Sequence, residues 1–344
     1  KHERMRPNRA MSLMLALLPA AAAASAWTQV VAKAPWAGRS DPQLAVLGGR
    51  LILLGGHANN KYYNDVWSSA DGGRSWVQLL PAAPWSNRSY HTAKVFEDQL
   101  FMLGGHNGAT WFNDIWSTAD GVTWKLVTAA AAWSPRAAAA LQFLPDGTML
   151  VMGGSDGLLK PIGDGKVFND VWASVDRGAT WSLRSAAAPW AAREGLQKLT
   201  ALYTLDNKST VVLTAGEAGY FGPYYNDVWS TTDGANWTLL NGGTGFSKRS
   251  GNLLLNVGGA LFTFGGYGLP FMKHDAYCLP PSTASAEFVK LPSAPWRGRF
   301  DYDMAEVNGS IVLLGGEASL FGTGGPYFND VWVYDAPACA PARK

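Results

Sequence analysis

The sequence predicts an all-β protein in which six copies of a four-stranded antiparallel unit close into a ring, a six-bladed β-propeller. Three observations predict it. Glycine pairs end an apolar run at Gly55, Gly104, Gly153, Gly265 and Gly315, with Ala215-Gly216 as the sixth, spaced by about 50 residues and by about 62 before the fourth. The phrase NDVW or NDIW recurs at Asn64, Asn113, Asn169, Asn226 and Asn329, and His274-Asp275-Ala276-Tyr277 is a weaker copy. A tryptophan follows the next hairpin at Trp76, Trp124, Trp181 and Trp237, with Phe288 standing in, and APWxxR or a length variant supplies Arg39, Arg88, Arg136, Arg193, Arg249 and Arg299. These landmarks place 15 of the 16 tryptophans, all but Trp111, so the indoles read as filling for the wedges between units.

The chain opens on basic KHERMRPNRA, continues through apolar MSLMLALLPAAAAA and reaches the small-residue pattern Ala24-Ser25-Ala26. That reads as a secretory signal peptide over residues 1–26, with Met5 or Met11 as the start, and implies a secreted, extracellular or periplasmic protein. Its apolar run falls short of the roughly 20 residues a membrane helix needs, and no later stretch approaches that length, so no membrane span is expected. Without Lys1, Arg4, Arg6, Arg9 and Glu3 the balance is 24 basic against 25 acidic residues, which removes the electrostatic basis for a nucleic-acid partner. A content of 47% hydrophobic and 16% charged residues fits a globular chain.

Each unit reads as four strands, in the second unit Tyr90 to Phe96, Gln99 to Leu103, Asn113 to Ser117 and Thr123 to Val127. The last unit stops at NDVWVYD without its fourth strand, and the segment after the leader, AWTQVV, carries Trp27 in the hairpin position. The expectation is a ring closed by that segment, with Trp27 beside Val331 and Trp332 and no long open edge. The propeller then spans 27–335 and a tail spans 336–344. Cys278 and Cys339 could form one disulfide in an oxidising compartment. Sequons at Asn87, Asn207, Asn236 and Asn308 mark loops that a eukaryotic source could glycosylate.

The glycine pair after an apolar strand, the aromatic in the next strand and the tryptophan past the following hairpin resemble the kelch repeat, as found in the kelch and galactose-oxidase central-domain superfamily. The resemblance implies a six-bladed propeller and leaves function open, since such propellers serve as partner-binding modules, enzymes and structural proteins. SVDRGATW, Ser174 to Trp181, and its near copies also resemble the Asp-box. In that pattern Asp71, Asp120, Asp176 and Asp233 would accept turn amides on the face away from any site.

The loops entering the first strands and those after the glycine pairs should emerge together at one mouth of the central channel. They bring the six arginines, His57, His106, Glu217 and Glu317 to one face, with His91 and Glu194 close in sequence. A repeated arginine has two readings: a clamp onto a neighbouring aspartate or carbonyl, or a donor at the rim. Departures from the repeat, including Asp301 and Asp303, are better candidates for ligand contacts. Two long loops from Glu217 and Glu317 carry Tyr220, Phe221, Tyr224, Phe321 and Tyr327, which would either stack on a sugar ring or pack their own loops. His57 and His106 lack the Cys/His spacing of a metal site, and neither metal nor cofactor is expected.

The leading reading is a secreted, non-catalytic, monomeric propeller binding a carbohydrate or a protein partner at this face. An enzyme resembling N-acetylneuraminate epimerase, a sugar mutarotase, is the alternative, with Glu194, Glu217, Glu317 or His91 as acid and base and arginines on a carboxylate. A sialidase is less favoured, as it would need three convergent arginines and a Tyr/Glu pair, and the Arg-Ile-Pro signature is absent.

Overall fold

The second strand of each unit carries a buried apolar run, as in Leu51 to Leu54, Leu100 to Leu103 and Met149 to Met152, because sheets cover it on both faces. Outer strands such as Val77–Leu80 and Lys125–Thr128 are less covered, with two exposed residues followed by two half-buried ones. In the computed structural model, which describes residues 27–157, 165–219, 222–268, 271–318, 325–335 and 339, these strands form six four-stranded antiparallel sheets. The expected leader, Tyr220, Phe221, Phe321 and the tail apart from Cys339 lie outside the described residues.

Blade 1 comprises Gln43–Leu47, Arg50–Leu54, Val66–Ser69 and Val77–Leu80, and the innermost strands of blades 2 to 6 begin at Thr92, Ala140, Thr200, Leu255 and Phe300. Each innermost strand touches the next, and the sixth, Phe300–Val307, touches the first, so the ring is closed. Trp27–Val31 is the outer strand of blade 6, paired with Val331–Tyr334. Antiparallel pairing sets Trp27 opposite Tyr334, while Gln29 and Val31 face Trp332 and Val331, so the expected neighbours belong to the strand and not to Trp27 itself. Among the described residues no helix is long and apolar enough to cross a membrane.

Ring closure is visible in the aromatic packing. The loop tryptophan ahead of each blade meets the hairpin tryptophan of that blade edge to face: Trp36 on Trp76 at 6.1 Å, Trp85 on Trp124 at 5.7 Å, Trp133 on Trp181 at 6.0 Å and Trp190 on Trp237 at 5.8 Å. Phe246 and Phe288 substitute in blade 5, and in blade 6 the pair is Trp296 with Trp27, donated from the other end of the chain. Such contacts add about 0.5–1.5 kcal/mol each beyond area burial.

The glycine pairs have a steric cause. Gly55 and Gly56 both take left-handed φ, +64° and +93°, and a Cβ on Gly56 would lie 2.8 Å from the Ser40 carbonyl oxygen. Ala215, where the pair is broken, keeps the same conformation at φ 58°. On the opposite face, Asp71 Oδ1 accepts the amides of Arg74 and Ser75 at 3.0 and 2.9 Å, and Asp120, Asp176 and Asp233 hold the equivalent turns. Cys278 and Cys339 are disulfide-bonded, tying the end of the chain to the third strand of blade 5.

Candidate binding site

The NDVW phrase and the arginine form one device. Arg88 donates its backbone amide to Tyr63 O in blade 1, while its guanidinium forks onto Asp114 of blade 2 at 2.6 and 2.8 Å and reaches Gly104 O at 2.9 Å. Asp114 also accepts the Trp116 indole, and Asn113 holds the loop to the next blade through Ala131 O and Trp133 O. All six arginines repeat this pairing at 2.6–2.7 Å with Asp65, Asp114, Asp170, Asp227, Asp275 and Asp330. Each arginine is at most 1% exposed, so Arg39, Arg88, Arg136, Arg193, Arg249 and Arg299 clamp blades together and offer no guanidinium to the rim. Burial raises the Asp65, Asp170, Asp227 and Asp275 carboxyls, but hydrogen bonds and charge from the arginines more than offset it, leaving all four below the usual range.

Two residues past each arginine the chain turns into the axis. Asp41, Tyr90, Ala138, Gly195, Gly251 and Asp301 all have positive φ, between 47° and 73°. Their backbones link around the channel: Asp41 N–H donates to Asp301 O, Asp301 N–H to Gly251 O, Ala138 N–H to Tyr90 O and Leu196 N–H to Ala138 O. Asp41 joins Tyr90 by accepting its amide, and Gln197 binds the other Asp41 oxygen at 2.9 Å. Just inside, Lys198 pairs with Asp303 at 2.9 Å and donates to Pro42 O at 2.7 Å. The space left between Asp41, Gln197, Lys198, Asn252 and Asp301 is about the size of one water.

Above this constriction, the residue after each arginine bridges to the residue after each glycine pair: Ser40 with His57, Ser89 with His106, Ala137 with Ser155, Glu194 with Glu217, Ser250 with Tyr267, and Phe300 with Glu317. The mouth is two-sided. One side is aromatic: His57 stacks on Tyr62, Tyr90 on His106 and His106 on Trp111 at 5.5–5.7 Å, and Tyr327 approaches His57 at 6.2 Å. Tyr62, Tyr90, Trp111, Tyr224 and Tyr327 are half-buried. The other side is acidic, with Glu194 and Glu217 4% and 5% exposed and joined through their backbones at 2.7 Å.

The electrostatics follow from burial. Burial pushes Glu194 up to about 7, against the pull of Ser155. Glu217 is pushed well above the carboxylate range by burial and then by the Glu194 charge, while its Oε1 accepts the Tyr267 hydroxyl. Asp301, which accepts the Tyr90 hydroxyl at 2.8 Å, is raised by burial to about 6. Burial lowers His57 to about 4 and His106 to about 3, so both are neutral near pH 7. His57 Nδ1 lies 2.8 Å from Ser89 Oγ, and His106 Nδ1 accepts the Gly108 amide.

Of the expected residues, the structure gathers His57, His106, Glu194, Glu217, Glu317 and Tyr327 at the mouth, and it takes the arginines and His91 away from it. His91 is wholly buried, packed beside Gly55 and Trp85. Tyr220 lies outside the described residues. Tyr267, which follows the fifth glycine pair, takes the expected place at the mouth, whereas Asp41, Tyr62, Tyr90, Gln197 and Lys198 enter the site although no motif marks them. Their signal is positional, a fixed offset from the arginine or the glycine pair. Among the described residues no cluster of three or more His, Cys, Asp or Glu has a metal-holding arrangement.

A family model described as the KLHDC2/KLHL20/DRC7 Kelch-repeats domain matches residues 17–187. No curated protein matches the chain. The matched residues carry the closing strand and the first three blades, and the same Gly-Gly, Asn-Asp and arginine geometry continues through blades 4 to 6. The chain is a kelch-repeat six-bladed β-propeller.

Proposed function

We propose that this propeller is a secreted, non-catalytic binding module that holds a segment of a protein partner at the axial mouth of its arginine-loop face. The observation that carries the reading is the departure from six-fold repetition there. The arginine–aspartate clamp repeats in all six blades, whereas the mouth sets half-buried Tyr62, Tyr90, Trp111, Tyr224 and Tyr327 beside buried carboxyls. Secretion is supported by the leader-like residues 1–26 and by the disulfide. Peptide and glycan arrays probed with the wild type, Tyr90→Ala and Tyr327→Ala test it. Peptide ligands lost in both mouth variants support it, and ligands retained by both place the binding surface elsewhere.

A sugar mutarotase is the second reading, favoured by Glu194 and Glu217, two adjacent carboxyls of which one is poised near neutrality. The six arginines are held by aspartates, so among the described residues none of them offers the guanidinium such a reaction would use for an anionic sugar. Accelerated anomer exchange in one- and two-dimensional NMR, abolished by Glu217→Gln, would favour it over simple binding. Binding of glycans without turnover instead makes the partner a carbohydrate.

A further inference from the structure

Resting on the mouth as the binding site, we infer that it selects a basic side chain, a Lys ammonium or Arg guanidinium on an exposed segment of the partner protein. Among the described residues the charge balance at the mouth is one-sided. Asp41, Glu194, Glu217, Asp301 and Glu317 surround it at 1–9% exposure, and the ammonium near them, Lys198, is tied to Asp303 and to the Pro42 carbonyl. The neutral histidines add no competing positive charge.

Two of these carboxyls are incompletely satisfied. Glu194 Oε2 and Glu217 Oε2 are buried and accept no hydrogen bond, although their residues face each other across one backbone bridge. Side by side without a counter-ion, two such groups cannot both ionise cheaply, and a cation between them removes that cost. The aromatic wall is continuous with them. Tyr224 meets Tyr267 edge-on at 5.6 Å, Tyr267 donates its hydroxyl to Glu217, and Tyr90 donates to Asp301. Ring faces beside carboxylates attract a cation through both the quadrupole and the charge, and Arg or Lys presents that cation on a stem thin enough for a narrow opening. The constriction made by Asp41, Tyr90, Ala138, Gly251 and Asp301 stops the chain from threading further.

Binding carries a proton signature. The groups facing Glu217 are Glu194 on its bridging partner, Tyr267 on blade 5 and Asp301 on blade 6, with Lys198 beyond Asp301 held by Asp303. An incoming cation stabilises the ionised glutamates, so protons leave as it binds and affinity rises with pH.

The test uses the whole protein and four blocked pentapeptides that differ only at a central Lys, Arg, norleucine or Glu, titrated by calorimetry at pH 6 and pH 8 with a neutral chitin trisaccharide in parallel. The Lys and Arg peptides should bind at least about tenfold more tightly than the norleucine peptide, more tightly at pH 8, and should lose about tenfold in Glu217→Gln. Glu194→Gln serves as the second variant, and cooperative thermal unfolding at or above the wild-type Tm shows that both remain folded. Equal binding of norleucine, preference for the Glu peptide or no binding of either cationic peptide overturns the inference. A neutral peptide or sugar lost in Tyr90→Ala overturns the charge assignment and leaves the mouth intact. A cationic peptide indifferent to both Tyr90→Ala and Glu217→Gln removes the mouth as well.

Discussion

Breaking one arginine clamp should cost several kcal/mol without touching the mouth, and Arg136 is the position to break. Its neighbours at the axis are Ala137 and Ala138, the least polar sector of the mouth. Its guanidinium is 1% exposed, contacts Asp170 at 2.6 and 3.0 Å, donates to Gly153 O and Ser134 O, and lies 4.0 Å over the Phe168 ring. Asp170→Asn leaves that charge buried with carbonyl oxygens as its remaining acceptors, for a loss of about 3–5 kcal/mol. Arg136→Leu leaves Asp170, which is 16% exposed, to water and the Trp172 indole, so the loss is smaller, about 2–3 kcal/mol. Taking about 2.1 cal/mol/K per residue over the propeller gives an unfolding entropy of about 0.65 kcal/mol/K, so Asp170→Asn should lower Tm by about 5–8 °C. Thermal and urea unfolding of both single variants and the double variant completes the cycle, and the double variant should lose less than the two singles combined. Single variants that unfold within about 1 °C of the wild type would refute the clamp.

Reduction, or Cys339→Ser, should destabilise the propeller by up to about 4 kcal/mol from the 61-residue separation, read as a lower Tm with reductant present. Asp176→Ala removes the acceptor of the Ser174 and Thr180 hydroxyls and the Thr180 amide and should cost about 1–2 kcal/mol, leaving peptide affinity unchanged because its hairpin lies on the far face. Stability should show opposed pH slopes. Asp65, Asp170, Asp227 and Asp275 have lowered folded values, so their contribution is present above the unfolded carboxylate range and is lost as pH falls through the folded values. Glu194 is raised to about 7, so its contribution is complete below the unfolded value and is lost as pH rises toward 7; Glu194→Gln should flatten that part of a Tm-against-pH curve.

The fold was legible because one steric and packing solution is written six times. Glycine pairs mark left-handed backbone, and the tryptophans mark wedges that only large rings fill, so even the closing strand could be placed from Trp27 alone. The arginines were ambiguous for the same reason. Repetition shows that a side chain has one role in every blade, but the direction of the guanidinium depends on Asp65 and its equivalents 26 to 34 residues away. His91 looked available beside Arg88, yet the turn at Tyr90, φ 52°, sends it into the core. Tyr90 and Asp41 went unmarked because their position is filled by aspartate twice, glycine twice, tyrosine and alanine, so no one residue type repeats around the ring. Burial, which sets the protonation of Glu194 and Glu217, belongs to the assembled ring and not to any short stretch of chain.

The claim that repeated residues build the ring while its exceptions bind the partner is tested most directly by one paired measurement on Arg136→Leu and Glu217→Gln, recording Tm and peptide affinity for each. Arg136→Leu should lower Tm and leave the affinity of the folded protein unchanged, and Glu217→Gln should keep Tm and lose affinity. The reverse pattern, with affinity lost on breaking the clamp and Tm lost on neutralising the glutamate, would contradict it.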